Sequence, residues 1–266
     1  MRKEIEQTLR DPVGFFTGGA TVVSVFFWII FFLGETGLIS FGHLWQYFAL
    51  PASLPMFVRQ PWSLITYPFI HLNIIDFFIN LLLVHFIGTR LQTYEPDKRL
   101  FRLAFGGMTA GALALWGVYY FIPAWFADEL NTYLTGMSVV FAAWLGYAGI
   151  RYGDYPLYMR LFGRWKWRWL LILFLIWDLV QLPLKNTGGH AAHLGAFAAG
   201  MLWAYAPVCH RPKKSSKDFK VYDNYKTRSE KQIDRILDKI NRSGLDSLTE
   251  EEKEILYRES QRNNRL

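Results

Sequence analysis

A serine hydroxyl becomes a nucleophile when a histidine imidazole stands beside it to take its proton. The chain offers that pairing in strongly apolar surroundings. Ser138 lies in Thr135-Gly136-Met137-Ser138, inside the charge-free run 130–150, and His193 lies in Ala192-His193-Leu194-Gly195, inside 186–209, which holds no Asp, Glu, Lys or Arg. The other polar groups in comparable runs are His71, Asp76, Asn80 and His85 in 61–89, Asp178 in 169–184, and His190 one turn before His193. Asn80 brings an amide that needs partners when buried, and Asp178 brings an acceptor for a histidine N–H. His190 and His193, three residues apart, could also join His71 or Asp76 in a metal site, although the chain has no H-E-x-x-H.

These groups need elements that hold them together. A bilayer core takes about 20 apolar residues per helix, and six runs qualify as candidates: 13–34, 61–89, 103–127, 130–150, 169–184 and 186–209. The mean hydropathy of +0.11 conceals them. Residues 209–266 carry 15 Lys+Arg and 11 Asp+Glu, against 14 and 11 in the first 208. The 52% hydrophobic content excludes a disordered chain, and the single cysteine, Cys209, excludes a disulfide scaffold. Basic loops (Arg90, Lys98, Arg99, Arg102; Arg151, Arg160, Arg164, Lys166, Arg168) alternate with loops poor in Lys and Arg. Under the positive-inside rule this places both termini in the cytoplasm. The first run has acids before it (Glu4, Glu6, Asp11) and reads as a retained anchor. No transit peptide is read, and a bacterial inner membrane is expected. The aromatic loop 41–58 is expected to lie in the membrane interface.

Depth then pairs the two residues. Ser138 and His193 stand eight and seven residues into runs of the same direction, about two turns, at 5.4 Å each, below the outer edge. Ser138, Ala142 and Gly146 share one helix face, as do His193, Ala196, Gly200 and Ala204. Small residues let membrane helices approach closely, so the two faces are expected to bring the hydroxyl and the imidazole together. A lone serine in a membrane helix is ordinarily a packing residue; the matched partner changes the reading.

On these residues the chain resembles the rhomboid intramembrane serine proteases over about 15–208. The carriers are Trp62 with Thr66-Tyr-Pro-Phe-Ile-His71, then His71 through Asn80 followed by Gly88, Gly136-Met137-Ser138, and Ala192-His193-Leu194-Gly195 with Gly200. The resemblance implies an all-α six-helix membrane bundle and a Ser138–His193 dyad with no third acid and no cofactor. It assigns the oxyanion to the Ser138 N–H and the Asn80 amide, and makes membrane helices of other proteins the substrates. Two positions depart from the family. Asp76 stands where a second histidine is usual, and an ionised carboxylate there would repel an oxyanion unless burial protonated it. Val139 stands where a small residue is usual and would narrow the site. These departures support an alternative reading, an inactive helix-binding protein acting as chaperone or escort. Because the family works without the acid, Asp178 is read as a structural group bonded to another helix or to Lys185, with a triad role toward His193 or His190 as the rival. His190 is a rival base or a cavity-lining residue.

The chain divides into a 1–12 leader, the 13–208 membrane domain and a basic tail, 209–266. Within the tail, 211–220 (RPKKSSKDFK) suits anionic lipid. Ser229 is read as opening a helix to about 242 with Gly244 as its stop, and Thr249 with Glu252 as a capping box for a second helix to about 260. No partner for this hairpin is legible. No phosphate loop, dinucleotide fingerprint or nucleic-acid motif is present, and the +7 net charge belongs to loops and tail.

Overall fold

The structure, a computed structural model, describes residues 11–35, 44–122, 133–159, 163–183, 186–206, 233, 235–240, 242–244 and 247–263. The chain forms two compact units, 1–213 and 214–266.

Among the described residues the first unit holds six helices of 14 residues or more. Helix α1 (Pro12–Glu35) starts where Asp11 accepts from the N–H groups of Val13 (3.2 Å) and Gly14 (3.0 Å), with Pro12 at the position that needs no donor. Short turns α2 (Leu54–Arg59) and α3 (Ser63–Thr66) lead to α4 (Ile74–Leu91), capped by Asn73, which accepts from Ile75 N (2.8 Å) and Asp76 N (3.3 Å). Then come α5 (Asp97–Phe121), α6 (Ser138–Arg151), α7 (Trp167–Gln181) and α8 (Thr187–Trp203). Two short antiparallel ladders complete the unit. One is β1 (Leu50–Pro51) with β2 (Tyr133–Leu134); the other is β3 (Pro156–Met159) with β4 (Gly163–Lys166).

Helix α6 is the axis: every residue from Val139 to Gly149 is buried, and α4, α5, α7 and α8 pack around it. Glycines set the spacing. A Cβ on Gly146 would stand 2.5 Å from the Phe197 carbonyl oxygen, and one on Gly200 would stand 2.1 Å from the Ala143 carbonyl oxygen. A Cβ on Gly107 would meet the Ala143 Cβ at 2.3 Å, and one on Gly195 would meet the Ala110 carbonyl oxygen at 2.6 Å. The helix backbones therefore touch along the small-residue faces that the spacing anticipates.

The outer faces carry the opposite pattern. Val22, Phe26, Ile29 and Phe32 of α1, Ile75, Phe78, Ile79 and Leu82 of α4, and Leu173, Ile176, Trp177 and Val180 of α7 are all exposed. Apolar surface on that scale is what a membrane protein presents to lipid. Among the described residues three helices, Pro12–Leu33, Ile74–Leu91 and Asp97–Phe121, are long and apolar enough to cross a membrane. Helices α6, α7 and α8 have 14, 15 and 17 residues. At about 1.5 Å per residue each is shorter than a roughly 30 Å hydrocarbon core. The apolar run 130–150 is thus not one helix. Tyr133–Leu134 is tied to β1, and Gly136 turns at φ 94° before α6 begins at Ser138.

The loop of apolar aromatics is folded rather than trailing. Gln60 donates to the carbonyls of Gln46 and Ala49 (3.0 Å each), Trp62 Nε1 donates to Tyr47 (2.7 Å) and Thr66 Oγ1 to Phe48 (2.6 Å), while Tyr47 and Val58 stay exposed. At the far end of α6, buried Glu95 accepts from the Tyr147 hydroxyl and from Tyr152 (2.5 Å) and pairs with Arg99 (3.2 Å).

The second unit is the small hairpin. Gly244 stops the helical stretch that holds 235–240, at φ 78° with its N–H on the Ile240 carbonyl (2.9 Å). Helix α9 (Glu250–Asn263) opens on a reciprocal capping box: Thr249 N to Glu252 Oε2 at 2.9 Å, and Glu252 N to Thr249 Oγ1 at 3.3 Å. Lys239 and Glu252 pair at 2.7 Å across the turn, and Ile236 and Leu248 are buried. Ser229, Lys185 and the 211–220 run lie outside the described residues.

Candidate active site

The site is built on a turn that the surrounding helices hold from three sides. Gly136 N–H donates to the Tyr67 carbonyl at 3.0 Å. A side chain at its φ of 94° would be strained, which is why glycine stands there. Met137 N–H faces His71 Nε2 at 3.4 Å, and Ser24 Oγ meets His71 Nδ1 at 3.2 Å and donates to the Phe69 carbonyl at 3.1 Å. Those partners fix the tautomer. Ser24 spends its proton on Phe69, so His71 carries its own proton on Nδ1 and accepts on Nε2. Trp28 Nε1, also from α1, donates to the His71 carbonyl at 2.8 Å. His71 is therefore a support beneath the turn before Ser138. The sequence marked His71 but not Ser24. A polar residue in the middle of the charge-free run 13–34 was the available signal.

Ser138 is the first residue of α6. The N–H groups of a first turn have no intrahelical acceptor, so they face whatever lies beyond the helix end. Asn80, half-buried on α4, presents its amide nitrogen to the same turn: it lies 3.6 Å from the position of a Cβ on Gly136. Among the described residues the Asn80 side chain has no hydrogen-bond partner, so its donors are free.

The seventh residue of α8 completes the pairing. His193 Nε2 lies 2.7 Å from Ser138 Oγ, although 55 residues separate them. On the other edge of the ring, His193 Nδ1 lies 3.0 Å from Asp178 Oδ1 on α7, and His190 Nδ1 lies 2.6 Å from the same oxygen. Asp178 is 3% exposed. Its partners are the two histidines of α8. His190 does not reach Ser138; it meets the acid instead. Asp178, His190 and His193 form the one group among the described residues whose ligand atoms, within 4.8 Å of one another, could hold a metal ion. The 2.6 and 3.0 Å separations are those of hydrogen bonds sharing one oxygen. His71 and Asp76 take no part in this group.

Both departures fall elsewhere than the sequence placed them. Asp76 is not buried. It lies exposed in the first turn of α4, where a carboxylate complements the helix N-terminus. Val139 turns toward α5. It is fully buried, and its Cγ1 lies 3.3 Å from the position of a Cβ on Gly111, so the side chain packs against α5.

Chemically, the cluster holds a hydroxyl on an imidazole acceptor beside unpaired backbone and amide donors, which is the equipment of acyl transfer. No curated protein matches the chain. Residues 220–262 match a family of unknown function (DUF6576). Residues 58–209 match the model of the Rhomboid domain, more than half of the chain, and that stretch contains every residue of the cluster except Ser24 and Trp28 of α1. The chain that places Ser138 against His193 at the core of a helical, apolar-faced bundle belongs to the rhomboid family.

Proposed function

We propose that the protein is an intramembrane serine endopeptidase that hydrolyses peptide bonds in or near the transmembrane helices of other membrane proteins. The observation that carries this is the 2.7 Å contact between Ser138 Oγ and His193 Nε2. Ser138 attacks the scissile carbonyl carbon while His193 Nε2 takes the hydroxyl proton. The tetrahedral oxyanion is met by the Ser138 N–H and the Asn80 amide. Collapse breaks the C–N bond, with the proton passing from His193 to the leaving amine, and leaves an acyl-Ser138. Water, deprotonated by His193, then releases the acid and restores the serine.

In this reading all six helices of the first unit cross a bacterial inner membrane and both termini lie in the cytoplasm. The short α6 and α8 begin below the outer surface, which lets water reach the serine end. The 211–220 run lies against anionic lipid. The alternative, an inactive helix-binding escort, drew its support from Asp76 and Val139. With Asp76 on the surface and Val139 turned toward α5, that support is weaker.

The test needs no known substrate. The detergent-purified full chain is treated with a fluorophosphonate probe and the labelled residue mapped by mass spectrometry, beside Ser138→Ala and His193→Ala whose folding is checked by circular dichroism. Labelling at Ser138 that His193→Ala abolishes supports an activated nucleophile. Folded wild-type protein that stays unlabelled across probe sizes and pH values sinks the protease reading.

A further inference from the structure

The dyad does not account for two of the four groups that touch one another. We infer that Asp178 is a positioning residue for His193: it holds the catalytic imidazole in the tautomer that can accept from Ser138, and it holds His190 by the same oxygen. The inference rests on the protease reading for its consequence, but not for its geometry.

Oδ1 of Asp178 receives two ring nitrogens, His190 Nδ1 at 2.6 Å and His193 Nδ1 at 3.0 Å. A protonated carboxyl oxygen could donate to only one of them. An ionised oxygen, which only accepts, satisfies both when each ring carries its proton on Nδ1. That assignment leaves His193 Nε2 with its lone pair 2.7 Å from Ser138 Oγ, the arrangement a general base requires. The opposite tautomer would place an N–H against the serine and a bare Nδ1 against a carboxylate.

The acid is also built in rather than incidental. Asp178 has 5% of its side chain exposed and lies on α7, whereas both rings stand on α8 one turn apart. A buried carboxylate is stable only with partners, and its partners here are the two imidazoles. The orientation of the base is thus set from a third helix, distinct from those that carry the nucleophile and the base. A resident metal ion would use the same three side chains and is the competing explanation. Its ligand–ligand spacings would exceed 3 Å for metal–ligand bonds of about 2.0–2.1 Å in tetrahedral geometry, and both observed contacts to Oδ1 are shorter or no longer than that.

The experiment uses the full chain in detergent with 15N-labelled histidine. In wild-type protein the His193 ring is expected as the Nδ1–H tautomer by 15N–1H correlation, assigned with His193→Ala. In Asp178→Asn and Asp178→Ala that signature is expected to be lost or mixed, with fluorophosphonate labelling of Ser138 slowed by about 10²-fold. Losing the correct tautomer in a full Ser-His-Asp triad costs about 10⁴, and the dyad contact retained here makes the smaller figure the expectation. An Nε2–H tautomer in wild-type protein overturns the inference, and does so even where both variants fail to fold. So do a stoichiometric transition metal in the purified chain, or folded variants that label Ser138 as fast as wild type. Wild-type protein that never labels, but whose His193 tautomer depends on Asp178, overturns the protease reading while supporting this one.

Discussion

Replacing Gly200 with alanine tests whether the contact between Ser138 and His193 depends on the touching backbones of α6 and α8. A Cβ at Gly200 would lie 2.1 Å from the Ala143 carbonyl oxygen and 2.8 Å from the Tyr147 nitrogen. Both are backbone atoms of the buried stretch of α6, so neither can swing aside. Restoring even the tightest tolerable contact, about 3.0 Å, requires α8 to move about 0.9 Å from α6. His193 is two turns up the same helix. Carried rigidly along α8, that displacement lengthens the 2.7 Å bond to Ser138 to about 3.6 Å, which is no longer a hydrogen bond. Misplacement on the order of 1 Å costs about 10²-fold in rate, and overpacking costs about 1–3 kcal/mol in stability. The assay is the second-order rate of fluorophosphonate labelling at Ser138 in Gly200→Ala, with thermal unfolding followed in parallel. Gly117→Ala on α5, where a Cβ meets nothing within 4 Å, is the control and is expected to label like wild type. A Gly200→Ala protein that labels within about threefold of wild type and melts at the same temperature would refute the reasoning, because the predicted loss is about 10².

Other consequences follow from the same geometry. Asn80→Ala is expected to lower turnover of a transmembrane peptide by about 10²–10³, the usual cost of one oxyanion donor. Its melting temperature should stay near wild type, since Asn80 has no partner among the described residues. Glu95→Ala leaves Arg99 and the hydroxyls of Tyr147 and Tyr152 without their shared acceptor. Because Arg99 keeps 12% of its side chain exposed, the low end of the buried-pair range, about 3 kcal/mol, is expected, a fall of about 6–12 °C by differential scanning fluorimetry. In the tail, the hydrogen bond from Lys239, with that from the Thr249 backbone, holds the Glu252 carboxyl below its ordinary value of 4.5. A lowered carboxyl stabilises the hairpin above that ordinary value, and the contribution fades as pH falls through the lowered one. Hydrogen-exchange protection at the Glu252 amide in the full chain should therefore hold above 4.5 and fall as the pH is taken progressively below it. Thr249→Ala, which removes the cap, should reduce it throughout.

Much of the site was legible in the sequence, because membrane helices place few polar groups in apolar runs and each stands out. Ser138 and His193 could be paired by depth and by the small residues that follow them on the same face, Ala142 and Gly146 after Ser138 and Ala196 and Gly200 after His193, since close helix approach is a property of side-chain size. The hairpin of the tail was legible for a different reason. Capping is local chemistry, and Thr249 with Glu252 three residues on satisfies donors that any helix start leaves open. Gly244 stops its helix because its backbone adopts a positive φ.

What the sequence determined by itself were the features that depend on nearest neighbours along the chain: apolar runs, caps, the glycine faces and the family to which they belong. What only the tertiary structure decided were contacts that sum positions over several helices. The run 130–150 reads as one span, yet pairing with β1 and the turn at Gly136 start the helix only at Ser138. Asp76 reads as a buried acid near the oxyanion, yet the cap at Asn73 places it on an exposed first turn. Val139 reads as a residue that narrows the site, yet the rotation of α6 turns its Cγ1 toward Gly111. Asp178 reads as a structural acid, yet the approach of α7 to α8 sets both histidines on one of its oxygens. Helix rotation and interhelical distance have no signature in a single chain of residues, because they are fixed by how several side-chain surfaces fit at once.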